Sequence, residues 1–251
     1  MNGYRFPDSL SQNIVKGIVE GYNSYLAERK RKKAEMNISS AYAWVKGNHI
    51  EDAVSKRADK EIEYKISKAG YTWGYLRFIN KDHRVLFIIK NSSSLDPVLR
   101  SAKKKNINEE NYLSKLADIN KYLHFPEPIK EGQKSEQLGF FTLYEDRVLI
   151  DKEDADAEIE KAKKDFDRFY VVTYAIDEAK MISEINLTLP SPGLTSFYQV
   201  ENWTPLLNNL DIEYDEEALS AVKGDQEPES RIATGDYGII IPNQERTGQD
   251  D

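Results

Sequence analysis

A chain of 251 residues with 39% hydrophobic and 11% aromatic content can bury a substantial core, and the absence of cysteine excludes a disulfide framework, a thiolate metal site and a cysteine nucleophile. The formal charge of −8 conceals two halves of opposite sign: residues 1–125 carry 23 Lys and Arg against 14 Asp and Glu, and residues 126–251 carry 12 against 29. Such asymmetry points to different partners, with a basic, aromatic-rich half suited to nucleic acid and an acidic half suited to a protein surface.

In chain order, Ser9 and Gln12 have capping-box spacing, and Ile14, Ile18, Tyr22 and Tyr25, flanked by Val15, Val19 and Leu26, recur at helical intervals. The helix they predict ends in Arg29-Lys30-Arg31-Lys32-Lys33, cations that suit the negative end of its macrodipole. Gly17 and Gly21 form a GxxxG pair, which in a polar helix signals close packing. Ser40 is placed to cap a second helix with Ala43, Gly47, Ile50, Val54 and Ala58 along one face. Three strands are predicted next at Ile62–Ile66, Tyr71–Ile79 and Arg84–Lys90, the last two joined by a tight turn at Asn80-Lys81-Asp82-His83. Alternation puts Tyr71, Trp73, Tyr75 and Arg77 on one face of the middle strand.

Residues 91–106 read as a polar connection. A third helix follows, with Tyr112, Leu116, Ile119 and Leu123 in register, and Pro126 and Pro128 stop it. Beyond the linker, a hairpin is predicted over Leu138–Tyr144 and Arg147–Asp151, a helix over Glu153–Phe166, and a second hairpin over Arg168–Ile176 and Met181–Leu189. Residues from Phe197 to Leu210 read as an aromatic-anchored loop or short helix, residues 211–229 are acidic, and Tyr237–Ile241 reads as a late strand. The expected fold is α+β: N-terminal helices and a three-stranded antiparallel meander, then a second helix-plus-hairpins unit and an acidic, partly disordered tail. The corresponding division is a basic domain at 1–125, a linker at 126–137, a subdomain at 138–210 and a tail at 211–251.

The N-terminus has no apolar signal core, and the purest apolar run, Val85 to Ile89, is far shorter than the about 20 residues needed to cross a bilayer. Together with the missing cysteine this predicts a cytoplasmic protein with no membrane partner. His49, His83 and His124 have no zinc-ligand spacing, and phosphate-loop, dinucleotide and nucleophile-elbow motifs are absent.

One catalytic arrangement can be argued. A helix bearing Glu51 followed by three strands resembles the element order of restriction-endonuclease-type nucleases, in which carboxylates hold Mg²⁺ and a lysine stands beside the attacking water. That resemblance implies an acid-x-lysine pair on the third strand, where this chain has Ile88-Ile89-Lys90. An apolar side chain cannot ligate Mg²⁺. The nuclease alternative therefore falls on Glu51, Glu63 and Lys65, and the competing expectation is a solvated Glu51 with Glu63 and Lys65 as a same-face surface pair.

Nucleic-acid contact draws on more residues. Lys and Arg neutralise phosphates with counterion release, and aromatic faces stack on unpaired bases for about 1–3 kcal/mol each. The candidate contact set is Arg29, Lys30, Arg31, Lys32, Lys33, Lys46, Lys65 and Lys68, with Tyr71, Trp73, Tyr75 and Arg77 as a stacking strand; the competing expectation is that the alternating aromatics form one wall of a core and the basic helix end is solvated. The acidic residues from Asp211 to Glu229 could cover this basic surface in cis or dock on a basic protein, and the competing expectation is a solvated tail that aids solubility.

The stretch from Ala41 to Val54, continued by Ser67–Leu76 and Leu86–Asn91, resembles an uncharacterised bacterial and prophage domain. The resemblance implies a setting among mobile-element, toxin–antitoxin or phage-defence genes and supplies no catalytic residues. The resulting expectation is a non-catalytic regulatory or inhibitory binding protein without a cofactor. Its basic half would meet nucleic acid or an acidic partner, and its acidic half would meet protein. Mg²⁺ enters only with the nuclease alternative.

Overall fold

In the computed structural model the described residues are 4–69, 73–95, 112–123, 125, 152–194 and 196–223. They form helices α1 (Asp8–Glu35), α2 (Lys46–Arg57), α3 (Tyr112–Ala117), α4 (Lys152–Asp165) and α5 (Glu216–Val222). The strands are β1 (Glu63–Ala69), β2 (Trp73–Asn80), β3 (Val85–Asn91), β4 (Arg168–Ile176), β5 (Ile182–Pro190) and β6 (Phe197–Asn202). The hairpin predicted over residues 138–151 and the strand at Tyr237–Ile241 lie outside the described residues.

The α+β class holds, but the strands do not separate into two units. All six lie in one mixed sheet in the order β1-β2-β3-β4-β5-β6. Neighbours are antiparallel except β3 and β4, which run parallel from Val85 opposite Arg168 to Asn91 opposite Tyr174. Strands from both sides of the 126–137 segment thus share one ladder. A parallel pair needs a crossover, and here that connection carries α3 and α4.

Alternation along the central strands accounts for the layering. Val85, Phe87 and Ile89 of β3, with Tyr170, Val172 and Tyr174 of β4, are buried on the face covered by α1, α2 and α5. Leu86 and Ile88, with Phe169 and Val171, are buried on the opposite face beneath α3 and α4. A strand covered on both sides reads as a continuous apolar run, which is why Val85–Ile89 has no polar member. The edge strand β1 keeps Tyr64 and Ile66 exposed.

Helix α1 buries the predicted stripe, including Ile14, Ile18, Tyr22 and Tyr25. Its predicted capping box is not formed. Pro7 precedes the helix, and Glu61, in the turn before β1, accepts from Ser9 Oγ at 2.8 Å and Asn13 Nδ2 at 2.6 Å. Ser40 likewise opens a 3-10 turn, Ser40–Val45, and α2 begins at Lys46 with no side-chain cap. The GxxxG pair makes the α1–α2 crossing. A Cβ on Gly17 would lie 2.7 Å from Val54 Cα, and one on Gly21 2.5 Å from Ile50 Cα, so only glycine lets the two backbones approach this closely.

The third predicted helix splits into α3 and a 3-10 turn, Asp118–Tyr122. Asn120 in that turn is fully buried; its Nδ2 donates to the carbonyls of Phe169 at 2.8 Å and Pro190 at 2.9 Å, and its Oδ1 accepts from Phe169 N–H at 2.8 Å. The segment 197–210, expected as loop or short helix, is the strand β6 followed by a 3-10 turn, Thr204–Asn209. Part of the acidic segment is also ordered as α5, whose Ala218 and Val222 join the α1 core.

Candidate functional site

Helical spacing at the end of α1 sends consecutive cations in different directions. Arg29 points inward and is buried, and its guanidinium donates to the Ser39 carbonyl at 3.1 Å and Oγ at 3.3 Å. Lys30 meets α5, with its ammonium 2.8 Å from Asp215 and 2.6 Å from Glu217. Hydrogen bonds to these two acids raise the Lys30 pKa, and the bond from Lys30 lowers that of Asp215. Arg31 lies between Glu28 at 2.7 Å and Glu35 at 3.0 Å. Lys32 pairs with Glu35 at 3.2 Å and lies 5.3 Å over the Tyr42 ring. Lys33 donates to the Ala221 carbonyl at 3.1 Å, near the negative end of α5. Asp215 also caps α5, accepting from the amides of Glu217 at 2.9 Å and Ala218 at 3.2 Å.

A second centre forms where α2 crosses the start of β2. Glu51 is buried, against the expectation of a solvated acid, and its Oε2 accepts from Leu76 N–H at 2.8 Å. Burial pushes its carboxyl pKa up to about 7, opposed by the positive charge of Lys90 and by the Leu76 amide. Lys90 ends β3 with its ammonium 5.4 Å over the Tyr75 ring and 5.9 Å over Tyr112, and these two rings are 4.9 Å apart. Burial raises the Tyr75 phenol pKa. Arg77 is buried on the same face of β2 and pairs with Glu158 of α4, while its Nε finds no acceptor. A carboxyl that titrates near neutrality beside a lysine can exchange a proton or orient a bound group.

The other candidates fall as follows. Lys46 is buried at the start of α2, and Lys65 is exposed on β1 opposite Arg77. Tyr71 lies outside the described residues, as do the side chains of Lys68 and Trp73. Tyr75 and Arg77 are core residues beneath α3 and α4. Glu63 pairs with Lys81 at 2.6 Å, not with Lys65. It stands opposite Ile79, three residues along β2 from the amide that holds Glu51, a separation of about 10 Å. Glu51, Glu63 and Lys65 are therefore not brought together. Lys90, at the lysine position of the third-strand acid-x-lysine pattern, is instead the cation whose charge acts on Glu51. Among the described residues no three of His, Cys, Asp and Glu converge as a metal site. Ile88, at the acid position of the nuclease scheme, is fully buried in the core.

These features define an α+β protein with a two-faced mixed sheet, a basic helix end tied to its own acidic segment, and a buried carboxyl under the influence of a lysine charge. Among the described residues no helix is long and apolar enough to cross a membrane. The chain belongs to the Family of unknown function (DUF5986), whose profile matches residues 5–232 and so extends the resemblance noted in the first half well into the second. No curated protein and no solved structure matches it.

Proposed function

We propose that this protein is a non-catalytic regulatory or inhibitory binding protein whose basic helix end is covered in cis by its own acidic segment until nucleic acid or an acidic partner takes its place. The observation that carries this reading is the engagement of Lys30 and Lys33 by Asp215, Glu217 and the Ala221 carbonyl of α5. A phosphate backbone would seek the same cations, so the two modes exclude one another. Exposed ion pairs contribute only about 0–1 kcal/mol each, so a polyanion that gains by releasing counterions can compete with them. The suggested setting, a mobile-element, toxin–antitoxin or phage-defence system in the cytoplasm, comes from the prophage resemblance.

Replacing Asp215 and Glu217 together by Ala should tighten binding of a fluorescent single-stranded oligonucleotide about tenfold and steepen its salt dependence, as read by anisotropy across a salt series. Equal affinity and slope in the two proteins would remove this reading.

A second reading is favoured by the positive charge of Lys90 acting on the buried Glu51. Both stand where the restriction-endonuclease-type order would put its helix acid and third-strand lysine, which suggests a degenerate nuclease scaffold. This is an analogy of fold. With Ile88 buried where an oxygen ligand is required, the expected outcome is no cleavage of DNA or RNA with Mg²⁺ or Mn²⁺. Metal-dependent cleavage lost in Glu51→Gln and Lys90→Met would displace the non-catalytic reading.

A further inference from the structure

Strand β1 has the sequence Glu-Tyr-Lys-Ile-Ser-Lys-Ala, with no proline or glycine to interrupt it, and it forms one edge of the sheet. Its inner side pairs with β2 without a break, from Glu63 opposite Ile79 to Ala69 opposite Trp73. Its outer side meets no other strand among the described residues, so the N–H and C=O groups that point outward have no ladder partner there. The opposite edge is closed differently. The register of β6 on β5 shifts at Leu187 and Thr188, and Tyr198 of β6 is half-buried with its ring 4.9 Å from that of Phe125. Sheet edges are commonly blunted by such bulges and covering side chains. At Tyr64 and Ile66 β1 has neither, and their exposure is 52% and 73%.

The two faces of the strand differ in chemistry. Tyr64 and Ile66 stand opposite Phe78 and Leu76, on the side of the sheet covered by α1 and α2, and extend its apolar surface beyond the core. Lys65 is on the other face, exposed and in no ion pair among the described residues, while Glu63 is held by Lys81 at 2.6 Å. A strand added to this edge would therefore meet apolar surface, positive charge and apolar surface at successive positions. Charge decides what that strand is. Antiparallel pairing with a second copy would set Lys65 directly opposite its counterpart if centred on Lys65, and on the near diagonal if centred on Ile66. Like charge thus opposes both registers that bring Tyr64 and Ile66 of the two copies together. An acidic side chain at the same position answers Lys65.

We propose that β1 takes up an extended acidic peptide as an added strand, its acidic side chain over Lys65 and the apolar residues on either side of that acid against Tyr64 and Ile66. Main-chain hydrogen bonds along the edge supply affinity, and the alternating side chains supply selectivity. No residue of the contact between α1 and α5 takes part, so this surface is independent of the basic helix end.

The test is fluorescence anisotropy of the full chain with the labelled peptide Thr-Val-Glu-Val-Thr-Ser and with its counterpart carrying Lys in place of Glu. The acidic peptide should bind about fivefold more tightly or better, and Lys65→Glu should reverse that order. Ile66→Thr should weaken the acidic peptide severalfold. Both substituted side chains are exposed, so the variants should fold as wild type does, which circular dichroism verifies. Amide shifts on titration should be largest at residues 63–69. The proposal is overturned if neither peptide binds at millimolar concentration, if the two bind alike, if Lys65→Glu keeps the wild-type order, if Ile66→Thr binds as wild type, or if the shifts fall elsewhere. A dimer seen by sedimentation of the chain alone that dissociates in Ile66→Thr would assign the edge to a second copy and equally overturn it.

Discussion

Replacing Asn120 by Ala is expected to destabilise the fold by about 4 kcal/mol, because three backbone groups lose their side-chain partner in a place water does not reach. Asn120 has no exposed surface, and its amide serves both Phe169 groups and the Pro190 carbonyl. A buried polar group left without a hydrogen bond costs about 1–3 kcal/mol, and here the N–H and C=O of β4 and the C=O of β5 are all affected. Asn120→Asp should do no better, since it keeps the acceptor for Phe169 N–H but turns a carboxylate oxygen toward two carbonyls. Urea unfolding of both variants measures the cost through the midpoint. A shift worth under about 1 kcal/mol at unchanged slope would show that this junction is not where the crossover is pinned.

Glu51 makes the second large expectation, a stability that falls as the solution becomes more alkaline. Its carboxyl pKa is raised by burial from 4.5 to about 7 in the folded protein, while in the unfolded chain it returns to its ordinary value. Between those two values the folded state holds a proton that the unfolded state has released, so each pH step upward favours unfolding. Across that window the contribution is about 3 kcal/mol, fully present below pH 4.5 and lost above pH 7. Glu51→Gln keeps an oxygen for the Leu76 amide and removes the titration. The variant should match wild type near pH 4.5 and exceed it by about 3 kcal/mol near pH 8. A wild-type-minus-variant difference in unfolding free energy that stays constant with pH would place the Glu51 carboxylate in a wetter site than its burial indicates.

What could be read in advance follows from how local each signal is. The apolar stripe of α1 and the doubly buried run Val85–Ile89 are properties of adjacent residues, and both are borne out in the fold. The parallel register of β3 on β4 depends on residues far apart in sequence, so a reading that grouped strands by proximity divided one sheet into two units. Ser9 and Gln12 have the spacing of a cap, but Glu61, brought in by the turn before β1, competes for the Ser9 hydroxyl. Strand β6 was missed because Pro190 and Pro192 break the pattern ahead of it and an edge strand needs little alternation.

The candidate site was legible in part. The capacity of acidic residues to cover the basic run was foreseen, whereas the role of Asp215 as both helix cap and partner of Lys30 was not. Glu51 was singled out for its place on a helix before three strands, yet its burial is imposed by β2 and could not be inferred from flanking Asp52. The aromatic alternation of β2 was visible, and Tyr75 turns out to face Tyr112 in the interior.

The parallel seam between β3 and β4 also sets a schedule for biosynthesis. Once Asn91 leaves the ribosome, residues 92–167 must be translated before the first residue of β4 follows, roughly 4–15 s at ordinary elongation speeds. For that interval the nascent chain carries a hydrophobic strand with one side unzipped, vulnerable to chaperone capture or to pairing with another nascent copy, and slowing the codons between the two strands should lower the yield of native protein.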